Sequence, residues 1–253
     1  MKEECFIDIP IQYQYPILPT GCEVTSLSML LQSIEINNND NNDQPSSSPF
    51  TKESLAKIVF KESDPHMVNQ QLIGGNPYRS FIGEPTSKES FGMFHQPLAQ
   101  LLDKMLVDYL DRINGQYKVV DLTNNTHKHH LQDNESKSTI ESRLNYFEET
   151  NDQDDSDVDV LEEFLSNQQH AIVIWMTLEL RQPRVTDTWQ DEKIITNQIH
   201  WVSPEHCALL VGYTSKHYII NDPHTGKVEH YDKELFKKRW RQLGRQAISI
   251  INK

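Results

Sequence analysis

The chain has 253 residues, 36% of them apolar, and a formal net charge of −13 at pH 7. That length can bury a sizeable core as one large domain or two small ones, and the acidic balance argues against nucleic acid or an anionic membrane surface as a partner. Three cysteines are too few for a disulfide framework, and an odd number leaves at least one thiol free.

In chain order, Phe6 to Tyr13 alternates, with Ile7, Ile9, Ile11 and Tyr13 on one face, and is predicted as an edge strand. Thr20 and Glu23 then have the spacing of a capping box, and Val24, Leu27, Leu30, Leu31 and Ile34 recur at helical spacing. An amphipathic helix is therefore predicted to begin at or just after Gly21. Residues 37–49, rich in Asn and Ser, have almost nothing to bury and read as a flexible surface insertion. A short helix near Glu53 to Phe60 follows. Pro97 opens a further helix, with Leu98, Leu101, Leu102, Met105, Tyr109 and Ile113 as its apolar stripe and Gly115 as its end. Tyr117 to Leu122 reads as a strand.

A second polar insertion covers about 124–157. Its His127, His129 and His130 lack a cysteine or an ordered framework, so a polar loop is preferred to a metal site. Nine carboxylates between Glu148 and Glu163, with no Lys or Arg among them, read as a solvated or disordered surface. The glycine and spacing of a calcium loop are missing. Val160, Leu161, Phe164 and Leu165 predict a helix, and Ala171 to Leu178 a buried strand. His206 to Tyr213 and His217 to Pro223, joined by the polar Thr214-Ser215-Lys216, predict a hairpin that ends where Pro223 cannot donate to the ladder. Asp232 caps a helix carrying Leu235, Phe236 and Trp240, and Ala247 to Ile251 closes the sheet.

The chemistry gathers on three of these elements. Cys22 falls in the first turn of a helix, where unpaired N–H groups and the helix dipole favour a thiolate. His206 and Asp222 come to the same end of adjacent hairpin strands. Thiol, imidazole and carboxylate are the parts of an activated cysteine nucleophile. Strand register is not fixed by sequence, so Asn221 is the alternative partner for the imidazole. Cys207 should point to the opposite strand face, into the core, and Cys5 has no assigned role.

The chain resembles the bacterial cysteine peptidase-like proteins related to the double-glycine-leader (bacteriocin-processing) peptidases of the papain-like clan. The resemblance is carried by Gln14-Tyr15-Pro16-Ile17-Leu18-Pro19-Thr20-Gly21-Cys22-Glu23, by Asn76-Pro77-Tyr78 to Gly92-Met93-Phe94, and by Asp121-Leu122-Thr123. It continues through Ala171 to Trp175, Glu205 to Tyr213, Asn221 to Gly226 and Arg239 to Ala247, covering Ile9 to Ile251 apart from the two insertions. It implies Cys22 as nucleophile, His206 as general base and then acid, Asp222 as orienting carboxylate, and Gln14 as the amide that helps to form an oxyanion hole. Gln12 lies near enough to be confused with Gln14. The double-glycine specificity is not carried over, because this chain has no membrane span or ATPase domain.

The expected fold is therefore α+β and papain-like, a single domain over 1–253 whose N-terminal nucleophile helix packs on a C-terminal antiparallel sheet. Neither insertion marks a boundary, since catalytic parts lie on both sides of each. The expected function is a cysteine peptidase working on peptides or proteins through an acyl-enzyme, without metal or cofactor. The alternatives are an acyltransferase or isopeptidase using the same thiol, and a non-catalytic peptide-binding module. Gly21, beside the thiol, and Trp175 and Trp201, with Trp189, are the candidate substrate-facing residues, and Tyr78, Phe81 and Phe94 a candidate opposite wall. No signal-peptide pattern follows Met1 and no apolar run is long enough to cross a bilayer. The expected location is cytoplasmic by default, with an extracellular one open if the sequence was trimmed. Oligomeric state is not legible.

Overall fold

Residues 22–31 of helix α1 (Cys22–Asn38) are all buried, so the helix has no solvent face over its first ten residues. The predicted amphipathic pattern holds only for its apolar members. The polar ones are satisfied internally: Thr25 Oγ1 donates to Gly21 O at 2.7 Å, Ser26 Oγ to Cys207 O at 3.4 Å and Ser28 Oγ to Phe50 O at 2.6 Å. A helix polar groups can enter this way is a central helix, packed on every side. The capping box is absent. Gly21 precedes the helix, and Thr20 Oγ1 instead donates to Ser87 O at 2.9 Å in the loop that covers it.

The structure, a computed structural model, describes residues 3–38, 48–110, 116–123, 135–149 and 156–253, with only the backbone for 36–38, 110 and 156–159. Ile113, Gly115, His127, His129, His130, Asp152, Asp154 and Asp155, most of insertion 37–49 and part of 124–157 lie outside it. The central sheet has seven strands. Its path runs β12 (Lys227–Asp232), β11 (His217–Asp222), β10 (Glu205–Tyr213), β7 (Ile172–Thr177), β13 (Ala247–Asn252), β6 (Tyr117–Asp121), all antiparallel. β1 (Cys5–Phe6) extends the β7 edge of β10, pairing Cys5 with Tyr213 and Phe6 with Gly212.

Period-two alternation divides the core between the two faces of this sheet. Cys207, Leu209 and Val211 of β10 and Val173 and Trp175 of β7 pack with α1, α2 (Lys52–Ile58) and α3 (His95–Leu110). Ala208, Leu210, Ile172, Ile174 and Met176 pack on the other side with residues of α5 (Ser156–Gln168) and α6 (Lys233–Gln242). The result is a helix layer on each side of a mostly buried antiparallel sheet.

The predicted edge strand is cut short. After Ile7, whose N–H reaches Val211 O at 2.8 Å, Pro10 has no N–H to give, and the chain follows α1 instead. Tyr13 is exposed where Ile9 is buried. Part of the second insertion, expected as a loop, is helix α4 (Lys137–Glu149), which buries Ile140, Leu144 and Phe147 at helical spacing. Its otherwise polar sequence hides that stripe. The acidic stretch is not uniformly solvated either, since Glu148 pairs with Arg239 at 2.5 Å and Glu162 with Lys233 at 2.8 Å.

A second, four-stranded sheet was not expected. It contains β3 (His66–Val68), β4 (Gln71–Gly74), β8 (Arg184–Asp191) and β9 (Gln198–Ser203), while β2 (Lys61–Glu62) and β5 (Phe81–Ile82) pair separately. Arg79 clamps it, giving 2.8 Å ion pairs to Glu62 and to the fully buried Asp191. Burial alone would raise these two carboxyls, but the Arg79 bonds outweigh it and hold both at about 2. Their stabilisation is therefore present above the ordinary carboxylate range and lost as pH falls toward 2. Asp191→Ala, which leaves Arg79 with Glu62 alone and removes the acceptor of Asn76, is expected to cost about 1–3 kcal/mol in urea unfolding at pH 7. That penalty should shrink in unfolding series run below pH 4.

Candidate active site

β10 and β11 bring His206 and Asp222 together at one sheet end. His206 Nε2 lies 2.8 Å from Asp222 Oδ1, and both side chains are buried. Oδ1 also accepts the His224 backbone N–H at 2.8 Å, and Oδ2 the Tyr231 hydroxyl at 3.0 Å from β12. Burial would raise Asp222, but the bond from His206 and these further donors hold it at about 2. Asn221 is committed elsewhere, donating to Ile9 O at 2.8 Å. The register thus puts Asp222, not Asn221, on the imidazole.

Cys22 is the first residue of α1 and 7% exposed. A cavity of about 430 Å³ is lined by Cys22, His206 and Gln14, with Tyr15, Phe91 and Trp201 among its walls. Gln14 Nε2 donates to Pro19 O at 2.8 Å, leaving its second amide hydrogen over. Gln12 is tied instead to Ser28 Oγ at 3.0 Å and Gln32 Oε1 at 2.9 Å and is not among the residues that line this cavity.

The Cys22 thiol does not stand as helix position alone predicts. Burial, then the carboxyls of Glu23 and Glu205, push it well up, against a lowering contribution from the Cys207 backbone N–H. Sγ donates to Glu23 Oε2 at 3.4 Å. Cys22 therefore rests as a neutral thiol.

Of the other candidates, Trp201 lines the cavity and stacks on Phe94, centroids 5.6 Å apart and planes 5° from parallel. Trp175 is fully buried and donates Nε1–H to Met93 O at 3.0 Å, which makes it a core residue that braces the loop before α3. Trp189 does the same with Gly75 O at 2.7 Å. Phe81 is fully buried, and Tyr78 packs edge-on to Phe94 with centroids 4.8 Å apart. Gly21 answers to an internal constraint, since a Cβ there would sit 2.8 Å from Leu18 Cβ. Cys207 is core, as expected, and all three cysteines are free. Sequence reasoning missed Glu205, Tyr231, His224 and the inward role of Glu23. Glu205, adjoining His206 at a strand start, was the one with a legible signal.

Among the described residues no helix is long and apolar enough to cross a membrane. Comparison with known proteins gives a consistent account. An uncharacterized Bacillus subtilis (strain 168) protein, YvpB, is 26% identical over 241 residues, spanning 94% of this chain and 72% of its own. The crystal structure of a Bacillus anthracis protein described as a C39-like peptidase superposes over the whole chain with a TM-score of 0.67 at 24% identity, covering 99% of that chain. That likeness shows a shared fold of helices and antiparallel sheet. The family described as Peptidase_C39 like matches residues 6–248, a span that includes both ends of the candidate site, and the chain belongs to that family.

Proposed function

We propose that the protein is a cysteine peptidase in which Cys22 attacks, His206 moves the proton and Asp222 orients His206. The observation that carries this reading is the single cavity lined by Gln14, Cys22 and His206, with Asp222 hydrogen-bonded behind the imidazole. Membership of a peptidase-like family supports it.

Since Asp222 occupies Nε2, Nδ1 is the ring nitrogen left for proton transfer. The thiol proton passes to that nitrogen as sulfur bonds to the scissile carbonyl carbon. The C–N bond breaks as the imidazolium protonates the departing amine. Water then gives its proton to His206 and its hydroxyl to the acyl carbon, releasing a carboxylic acid and restoring the thiol. The free amide hydrogen of Gln14 and the Cys22 backbone N–H supply the oxyanion donors. Trp201 and Phe91 give the peptide an apolar wall.

In purified protein, Cys22→Ala is expected to lower peptide hydrolysis by about 10⁴-fold or more, and Gln14→Ala to lower kcat by about 10²–10³-fold. Undiminished hydrolysis by Cys22→Ala would sink the reading. Added amines that trap the acyl group in place of water would reassign the chemistry to acyl transfer.

Tyr231→Phe removes one donor from the buried Asp222 carboxylate. It is expected to cost about 1–3 kcal/mol in chemical unfolding at pH 7. Because Asp222 is held at about 2, that cost should persist down to pH 4 and fade only as pH approaches 2.

A further inference from the structure

Two carboxyls flank the Cys22 sulfur, and the hydrolysis written above uses neither. Glu23 follows Cys22 on α1, and Glu205 opens β10 one residue before His206; one oxygen of each lies within 4.8 Å of the other and of Cys22 Sγ. Glu23 is fully buried. It fills the space that a side chain at position 92 would need, since a Cβ on Gly92 would fall 2.3 Å from Glu23 Oε1 and 3.7 Å from Glu205 Oε2. Glu23 Oε1 accepts the Met93 N–H at 2.7 Å, and Oε2 accepts the Cys22 thiol. Glu205 Oε1 is buried and has no hydrogen-bond partner among the described residues. Two such carboxyls, set side by side without a cation bonded to either, cannot both ionise freely.

We propose that Glu23 and Glu205 are positioning residues that share a proton and so set the state of the nucleophile. Singly protonated, the pair holds the Cys22 thiol as a hydrogen-bond donor to Glu23. A second proton frees that thiol to pass its own proton to His206. The inference rests on reading Cys22 as the nucleophile.

The proton balance follows from the geometry. With Glu23 ionised, moving the thiol proton to His206 would press a thiolate against a buried carboxylate 3.4 Å away. Once Glu23 takes a proton from solvent, its O–H donates to the sulfur instead of accepting from it. The thiolate and imidazolium then form a pair that adds no net charge. One solvent proton is taken up, and no bond to carbon changes. Burial brings Glu23 to about 7 and, with Glu23 beside it, pushes Glu205 well above the carboxylate range, so the exchange falls near neutrality. The titratable groups facing the pair are Cys22 on α1 and Cys207 on β10, and His206 lines the same cavity as Cys22 and Glu205. Asp222 of β11 acts through His206, Tyr15 lies near the sulfur, and Lys88 and Asp187 line the cavity.

Alkylation of Cys22 by iodoacetamide, followed by mass spectrometry from pH 5 to 9 on the full chain, reads the thiol directly. For the wild type the rate is expected to rise about tenfold as pH falls from 8 to 6, opposite to an ordinary thiol. Glu23→Gln should lift the pH 8 rate to that acid level and flatten the profile below it. Glu205→Gln should keep the rise with its midpoint near that of the wild type, because Glu205 already holds its proton when Glu23 takes the second. A wild-type rate that climbs steadily with pH and is unchanged in Glu23→Gln would overturn the proposal. If Glu23→Gln does not fold, a rate that climbs with pH in both the wild type and Glu205→Gln overturns it just as well. A flat outcome here, alongside hydrolysis that still needs Cys22, removes the carboxyl pair alone. Hydrolysis surviving in Cys22→Ala removes the nucleophile reading instead, whatever the alkylation profile.

Discussion

The structure depends on the burial of one helix end. Because the first ten residues of α1 have no solvent face, the helix N-terminus is driven against β10, and each polar group that enters must find a partner there. That packing puts Cys22 opposite Glu205, His206 and Cys207. The same packing sets the local electrostatics. In a desolvated site a helix dipole worth a few tenths to one kcal/mol does not outweigh two neighbouring carboxyls and the loss of water.

The two sides of the site are tuned in opposite directions. Asp222 collects a ring nitrogen, a backbone N–H and a tyrosine hydroxyl, and stays ionised at about 2. Glu23, equally buried, has one backbone N–H and one thiol, and sits at about 7. The kind of partner separates them: Asp222 is held by the ring nitrogen and charge of His206, while Glu23 meets a thiol and backbone N–H groups with no cation beside it. Carboxyls pushed apart in this way suit the proposed division of labour, one fixed charge to orient the imidazole and one group to exchange a proton.

What was legible followed from periodicity and from short-range chemistry. The β10–β11 hairpin, the Asp232 cap, the α3 stripe and the core placement of Cys207 all rest on alternation, helical spacing or turn residues close in sequence. The second sheet escaped because β3 and β4 are short and β3 is fully exposed, and because β4 pairs with β8 in parallel across more than a hundred residues. Helix α4 escaped because four apolar residues in thirteen, one of them the exposed Tyr146, give a weak stripe. Glu23 was misread for a different reason. The spacing Thr20-x-x-Glu23 satisfies a capping box locally, yet Thr20 is drawn to the 84–87 loop and Glu23 to the interior, contacts that no local rule contains.

The sequence by itself determined the helix that carries Cys22, the hairpin that carries His206 and Asp222, and the family these motifs announce. All three are encoded in residues close together along the chain. Tertiary structure alone decided that Asp222 rather than Asn221 meets the imidazole, that Gln14 rather than Gln12 lines the cavity, and that the thiol rests between two carboxyls. Those outcomes are set by strand register and by burial. Both depend on which distant groups are pressed together after water is expelled, and neither is written in the order of neighbouring residues.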